Sequence, residues 1–401
     1  MLLTGTGRLA VVQLDGWGAP GILSPWALQV NADGRITWVG APDDAPRTDA
    51  DRIDLGTALV TPGLVDSHTH PVFAGDRSDE AAARTEGAPY AGGGILRTVS
   101  ATRATDDATL ERLVEARLRS ALTAGTTTIE CKSGYGLSTA EEIRHLRILG
   151  RVADRVPMRV VRTFLGAHAV PPEAESPAAY AATVADEMVP AVADEDAASF
   201  VDVFADDGFF DLAQTERIAR SAGAHGMGLR LHAEQLARTG AAELGARLGA
   251  ASVDHLEQLD EAGVWALAAS RTVATLLPGP ALTMRAGVPP ARALLDAGAR
   301  VALASDANAG TFGAFGAMPL VIGLGATLLG MTIGEALHAA TTGGAAALGL
   351  EAECGVLQAR LRADLVAWDA EHEGAFALHL GAVRPARTWI GGSEVTSTPV
   401  T

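Results

Sequence analysis

Eight short apolar runs rich in β-branched residues recur along the middle of this chain, and helix-length patterns separate them. The runs lie at 58–65, 126–131, 158–165, 200–204, 228–231, 251–253, 272–277 and 300–304, with helical patterns at 107–121, 139–152, 214–223, 239–248 and 288–297. Strands that alternate with helices build a parallel sheet with crossover helices, and eight such units fit a closed (β/α)8 TIM barrel better than an open sheet. Periodicity alone leaves a doubly wound sheet open. The expected class is therefore α/β.

The two ends read differently. Short strands are expected at 8–12, 27–30 and 35–40, and Asn31-Ala32-Asp33-Gly34 is a hairpin signal between the last two. The tail repeats this character at 363–368 and 388–395. The expectation is a small β-sandwich domain formed by 1–60 together with 356–401, flanking a catalytic barrel over 61–355.

At 401 residues, 48% of them hydrophobic, the chain can bury a large core. A net charge of -17 without a basic cluster argues against nucleic acid or an anionic membrane as partner. The apolar segment 318–331 is too short and glycine-rich to span a bilayer, and the N-terminus shows no secretory pattern. Cys131 and Cys354 are the only cysteines and lie far apart, so no disulfide framework is expected. These features point to a cytoplasmic protein. Lys132 is the single lysine among 31 basic residues.

The chemistry gathers at the ends of the expected strands, where barrels of this kind carry function. The first run ends in His68-Thr69-His70, whose alternate residues share one face of an extended chain. The third ends at His168, the fifth at His232, the sixth at His255 and the eighth at Asp306. Five of the ten histidines thus sit at strand ends, whereas His145, His225, His338, His372 and His379 fall in helices or connections, where a surface role is expected. One strand-end histidine is as well explained by a core hydrogen bond as by ligation; five converging on one mouth are not. His68, His70, His232 and Asp306 supply three imidazoles and a carboxylate, a set that suits one Zn2+ or Fe2+/Fe3+ with a position left for water.

On these residues the chain resembles the amidohydrolase superfamily. The resemblance rests on Pro62-Gly63-Leu64-Val65-Asp66 leading into His68-Thr69-His70, with His232, His255 and Asp306. Longer blocks narrow it to the imidazolonepropionase family: 68–77 (HTHPVFAGDR), 92–103 (GGGILRTVSATR), 130–137 (ECKSGYGL), 163–172 (TFLGAHAVPP) and 231–235 (LHAEQ). That resemblance implies hydrolysis of 4-imidazolone-5-propanoate to N-formimidoyl-L-glutamate, a step of histidine degradation, at a single metal. It implies that Arg77, Tyr135 and His168 hold the substrate, and that Gln235, Asn308, Gly310 and Thr311 line the ring pocket. Asp306 would move the proton and His255 would polarise the carbonyl. Lys132 is expected as a charge partner of Glu130 or Asp206. A homodimer is common among similar proteins, which leaves the oligomeric state open.

Two departures from the family pattern bear on the pocket. Ala309 stands where a proline is usual, implying a looser wall, and the segment between Gly87 and Gly92 is shorter, implying a missing small helix. The altered 308–313 loop leaves another amidohydrolase acting on a related cyclic amide as an alternative, and three rival readings are weaker. A nucleobase-type deaminase would place Glu at position 235, where Gln235 cannot titrate. A binuclear enzyme would want a lysine at the end of the fourth strand, which reads Phe204-Ala205-Asp206-Asp207. A non-catalytic scaffold would have lost ligands that this chain keeps.

Overall fold

The computed structural model describes residues 1–11, 21–87, 94–285 and 287–395. Its centre is an eight-stranded parallel sheet in strict chain order: β1 (Leu64–Asp66), β2 (Thr126–Lys132), β3 (Arg159–Ala167), β4 (Phe200–Ala205), β5 (Gly228–Ala233), β6 (Ser252–His255), β7 (Val273–Leu276) and β8 (Val301–Leu303). All seven residues of β2 are buried, as expected of a strand covered on both faces. The sheet closes between β1 and β8 at the end that bears the histidines. There Asp306 N donates to His68 O (3.0 Å), His70 N donates to Ala307 O (2.9 Å), and the Asp66 carboxylate accepts from Ser305 N (3.0 Å) and Ser305 Oγ (2.6 Å). Burial pushes Asp66 up to about 7 even though the Ser305 hydrogen bonds oppose it. The barrel expected from the alternation is the one observed.

Helices cover the outside. Among them, α1 (Ser78–Thr85), α2 (Gly94–Arg103), α3 (Asp107–Thr123) and α4 (Thr139–Ala153) fill the stretches around β2. Asp106 caps α3 by accepting from Thr109 N, and Ser138 caps α4 by accepting from Glu141 N.

The run at 58–65 divides in two, which sequence periodicity does not reveal. Val60–Pro62 leaves the barrel and pairs antiparallel with Leu365–Trp368; only Leu64–Asp66 joins β2. Gly63 stands at the break, its N–H donating to Asp364 O (2.9 Å), and glycine is required there because a Cβ would lie 2.1 Å from Thr127 Oγ1. Two further sheets come from the chain ends, one of four strands and one of six. They share an apolar cluster that includes Leu3, Trp26, Leu28, Ile36, Val60, Leu365 and Trp389. The hairpin expected at 31–34 joins Trp26–Val30 to Ile36–Gly40.

Two of the histidines expected at the surface are buried instead. His145 lies on the face of α4 that also buries Glu142, Leu146, Leu149 and Val152, a helical spacing that turns it into the core. Burial pulls His145 down to about 3 and His338 down to about 4, so both are neutral. His225, His372 and His379 are exposed. The shortened segment after Gly87 falls at 88–93, outside the described residues. Among the described residues no helix is long and apolar enough to cross a membrane.

Candidate active site

The ends of every barrel strand but β7, with the loops that follow them, deliver side chains to one cleft. His68 Nε2 lies 3.2 Å from His70 Nε2 and 3.1 Å from His232 Nε2, and the last two are 3.4 Å apart. Asp306 Oδ1 joins them at 3.3 Å from His70 and 3.6 Å from His68. An ion with bonds of about 2.0–2.1 Å in tetrahedral geometry separates its donor atoms by about 3.3–3.4 Å, so these spacings fit one metal.

Proton bookkeeping leads to the same place. His68 Nδ1 donates to Asp254 Oδ2 (2.6 Å) and His232 Nδ1 donates to Asp202 Oδ1 (3.1 Å). Each of these rings therefore turns an unprotonated Nε2 inward, lone pair towards lone pair. Burial first, then Lys132 and the neighbouring rings, hold His68 well below its usual range. Facing lone pairs at 3.1 Å repel unless a cation lies between them. The donor set fits a metal.

Behind the histidines lies a charged layer that the sequence reading did not foresee. Lys132, Arg230, Glu130, Asp202 and Asp254 are fully buried. Lys132 Nζ contacts Glu130 Oε1 (2.7 Å) and Asp202 Oδ2 (2.8 Å), and Arg230 Nη2 contacts Asp254 Oδ2 (3.0 Å). Lys132 thus pairs with Glu130 as expected, but its second partner is Asp202. Asp206 instead accepts from the backbone N–H groups of Gln235, Leu236 and Ala237, fixing the turn after β5. The signal was there to be used: Asp202 and Arg230 are charged residues inside apolar runs and Asp254 directly follows one, which calls for buried partners.

His255 faces Asp306 across the cleft, Nε2 to Oδ2 at 4.0 Å. Burial pulls its pKa down, but Glu257 at 3.6 Å and Asp306 outweigh this and leave it raised, favouring imidazolium. Its Nε2 or Nδ1 also lies within 4.8 Å of ring nitrogens of His68 and His232. Asp306 (φ 48°) and His255 (φ 83°) both hold left-handed backbone, a strain of about 1–3 kcal/mol each. Residues over-determined in this way cluster at functional sites.

The wall of the cleft contains Arg77, Tyr135, His168, Gln235, Asn308 and Thr311, together with Ile95 and Phe204, which were not foreseen. Arg77 is buried and donates through Nε (3.0 Å) and Nη2 (2.8 Å) to Glu80 Oε2. His168 stacks on His70 (5.2 Å, 22°), and its Nδ1 donates to Gly134 O (2.9 Å). Because a carbonyl only accepts, the neutral ring offers a lone pair at Nε2. Asn308 spends its side chain on its own loop: Nδ2 donates to Asp306 O and Thr311 Oγ1, and Oδ1 accepts from Gly310 N and Thr311 N. Gly310 stands behind Arg77 rather than on the cleft, and Arg84 Nη2 donates to its carbonyl (2.8 Å). These bonds tie the loop down despite Ala309. A larger cavity of 740 Å³, lined by 369–372, 374, 375, 378, 379, 382 and 383, contains none of the strand-end groups.

Comparison with known proteins agrees with this geometry. The profile of the amidohydrolase family matches residues 59–395. An imidazolonepropionase of Streptomyces avermitilis is 44% identical over 98% of this chain and 92% of its own length. One from Nocardia farcinica is 43% identical over 99% and 98%. Among solved structures, a 5-methylcytosine deaminase from Klebsiella pneumoniae superposes with a TM-score of 0.77 at 17% identity, covering 100% of this chain and 99% of that one. A zinc-bound adenosine deaminase from Xanthomonas campestris gives 0.72 at 20%, covering 98% and 92%. At such identities the structural matches speak for the fold alone. The sequence matches, which run nearly end to end in both partners, go further: the chain belongs to the amidohydrolase family, among the imidazolonepropionases.

Proposed function

We infer that this chain hydrolyses 4-imidazolone-5-propanoate to N-formimidoyl-L-glutamate, with His68, His70, His232 and Asp306 holding one zinc or iron ion. The observation that carries the reading is the convergence of His68, His70 and His232 at 3.1–3.4 Å, with Asp306 3.3–3.6 Å from the first two and the lone pairs of His68 and His232 turned inward. When bound, the ion supplies a water acidic enough to act as nucleophile near neutral pH.

The remaining chemistry belongs to the protein. Asp306 accepts a proton from the attacking water as oxygen adds to the ring carbonyl carbon. His255, held towards imidazolium by Glu257 and Asp306 in spite of burial, donates to the carbonyl oxygen and stabilises the developing negative charge. Asp306 then returns its proton to the leaving ring nitrogen as the C–N bond breaks. Arg77 and Tyr135 hold the propanoate, a carboxylate that needs a cation and a donor. His168, presenting a lone pair at Nε2, accepts an N–H of the ring.

The test is loss of the ultraviolet absorbance of freshly generated 4-imidazolone-5-propanoate, corrected for spontaneous decay, using protein of measured metal content. Fast loss with about one metal per chain, abolished by Asp306→Asn, is expected. Metal-loaded protein that gives no excess over background would overturn the substrate.

A further inference from the structure

Glu142 is a carboxylate that the reaction does not use, although it is fully buried on α4. It is not the cap of that helix: Ser138 caps α4 through Glu141 N. The Glu142 side chain instead reaches back into the loop that follows β2. One carboxylate oxygen accepts from Gly136 N (2.8 Å) and Leu137 N (2.7 Å), and the other accepts from Gly134 N (2.9 Å). Three convergent backbone N–H groups on one carboxylate fix the course of a loop as tightly as a strand pairing would, since each bond to an ionised acceptor is about twice as strong as a neutral one.

That loop carries Tyr135 and holds His168, which follows β3, through the Gly134 carbonyl; both face the cleft. Tyr135 sits between the clamped residues Gly134 and Gly136, with its ring 5.2 Å from His168 and 6.2 Å from His70. Gly134 is engaged through both of its peptide groups, its N–H donating to Glu142 and its carbonyl accepting from His168 Nδ1. The Gly134 N–H fixed by Glu142 and the backbone angles of Gly134 therefore set the following peptide, whose carbonyl meets His168 Nδ1 and whose N–H belongs to Tyr135. Gly134 holds φ 113°, and a Cβ there would lie 3.1 Å from His168 Nδ1, so the peptide has little room to adjust.

We propose that Glu142 is a positioning residue for substrate binding, setting Tyr135 and His168 together through the backbone of Gly134. This rests on the reading of Tyr135 and His168 as substrate contacts. In Glu142→Gln, one side-chain oxygen becomes an amide donor. A donor then faces at least one of the three backbone N–H groups, and that peptide must turn away.

The experiment is steady-state hydrolysis of 4-imidazolone-5-propanoate by metal-loaded Glu142→Gln, alongside metal analysis and circular dichroism. A KM raised about tenfold, with kcat within about twofold and metal content unchanged, is expected for the loss of binding contacts made equally in ground and transition states. A folded variant whose KM equals that of the parent overturns the proposal, as does one that loses kcat alone. Should Glu142→Gln not fold, Gly134→Ala carries the same test, because it displaces the same peptide from the other side. An unchanged KM there overturns the proposal equally. If the unsubstituted, metal-loaded protein does not turn over this substrate, it is the functional reading that fails, and the two failures are told apart.

Discussion

Replacing Lys132 by methionine tests whether the buried layer beneath the histidines holds the barrel together. The ammonium lies 2.7 Å from Glu130 and 2.8 Å from Asp202, and all three side chains are inaccessible to solvent. Removing one partner of such a pair leaves a charge in the interior, at a cost of about 3–5 kcal/mol. Two carboxylates lose their ammonium partner here, although Glu130 retains Arg230 Nε (3.8 Å) and Thr69 N (3.1 Å) and Asp202 retains His232 Nδ1 (3.1 Å). A loss of about 4 kcal/mol is expected. Urea unfolding of metal-saturated protein, followed by circular dichroism, measures it. Lys132→Met combined with Asp202→Asn removes a buried charge of each sign and should recover about 1–2 kcal/mol relative to Lys132→Met alone. Burial pulls the Lys132 pKa down, but Asp202 and Glu130 outweigh it and raise the pKa. Its contribution is therefore complete below the unfolded value of about 10.4 and is lost as pH rises through the higher folded value. The gap between parent and variant should stay level from neutrality to about pH 10 and close only above it. A loss under about 1 kcal/mol, typical of an exposed ion pair, would refute the reasoning.

Other outcomes follow from neighbouring contacts. His145, neutral in the core with its pKa pulled down to about 3 by burial, must shed a proton on folding in acid. Stability should fall as pH drops from about 6.5 towards 3, and His145→Leu should flatten that limb in thermal melts at pH 5. In Gly310→Ala the new Cβ would meet Arg77 Cζ at 2.3 Å, so the guanidinium must move. KM should rise several-fold while metal content holds, read from kinetics and metal analysis. Stripping the protein with a chelator should abolish turnover, and added Zn2+ or Fe2+ should restore it; full activity in stripped protein would contradict the four-ligand site.

Much of this molecule was legible in its residues. Eight apolar runs separated by helical patterns require a parallel sheet, because each run is buried on both faces and each crossover needs a helix. The histidines could be picked out for a related reason: His68, His70, His168, His232 and His255 fall where strands end, and Asp306 follows the last of them. What sequence could not supply was which buried charge meets which. Lys132 on β2 reaches Asp202 on β4 rather than Asp206 beyond its end, a contact that skips the intervening strand β3 and forms only inside the closed barrel. His145 follows a helical spacing that reads as core, but only packing decides whether a polar residue on that face is buried. The division at Gly63, which sends Val60–Pro62 to one sheet and Leu64–Asp66 to another, depends on a close approach to Thr127. Periodicity along the chain determines which segments are strands and which face is apolar. Contacts between residues 60 to 240 positions apart, such as His68 with Asp254 and Asp66 with Ser305, exist only once the barrel closes.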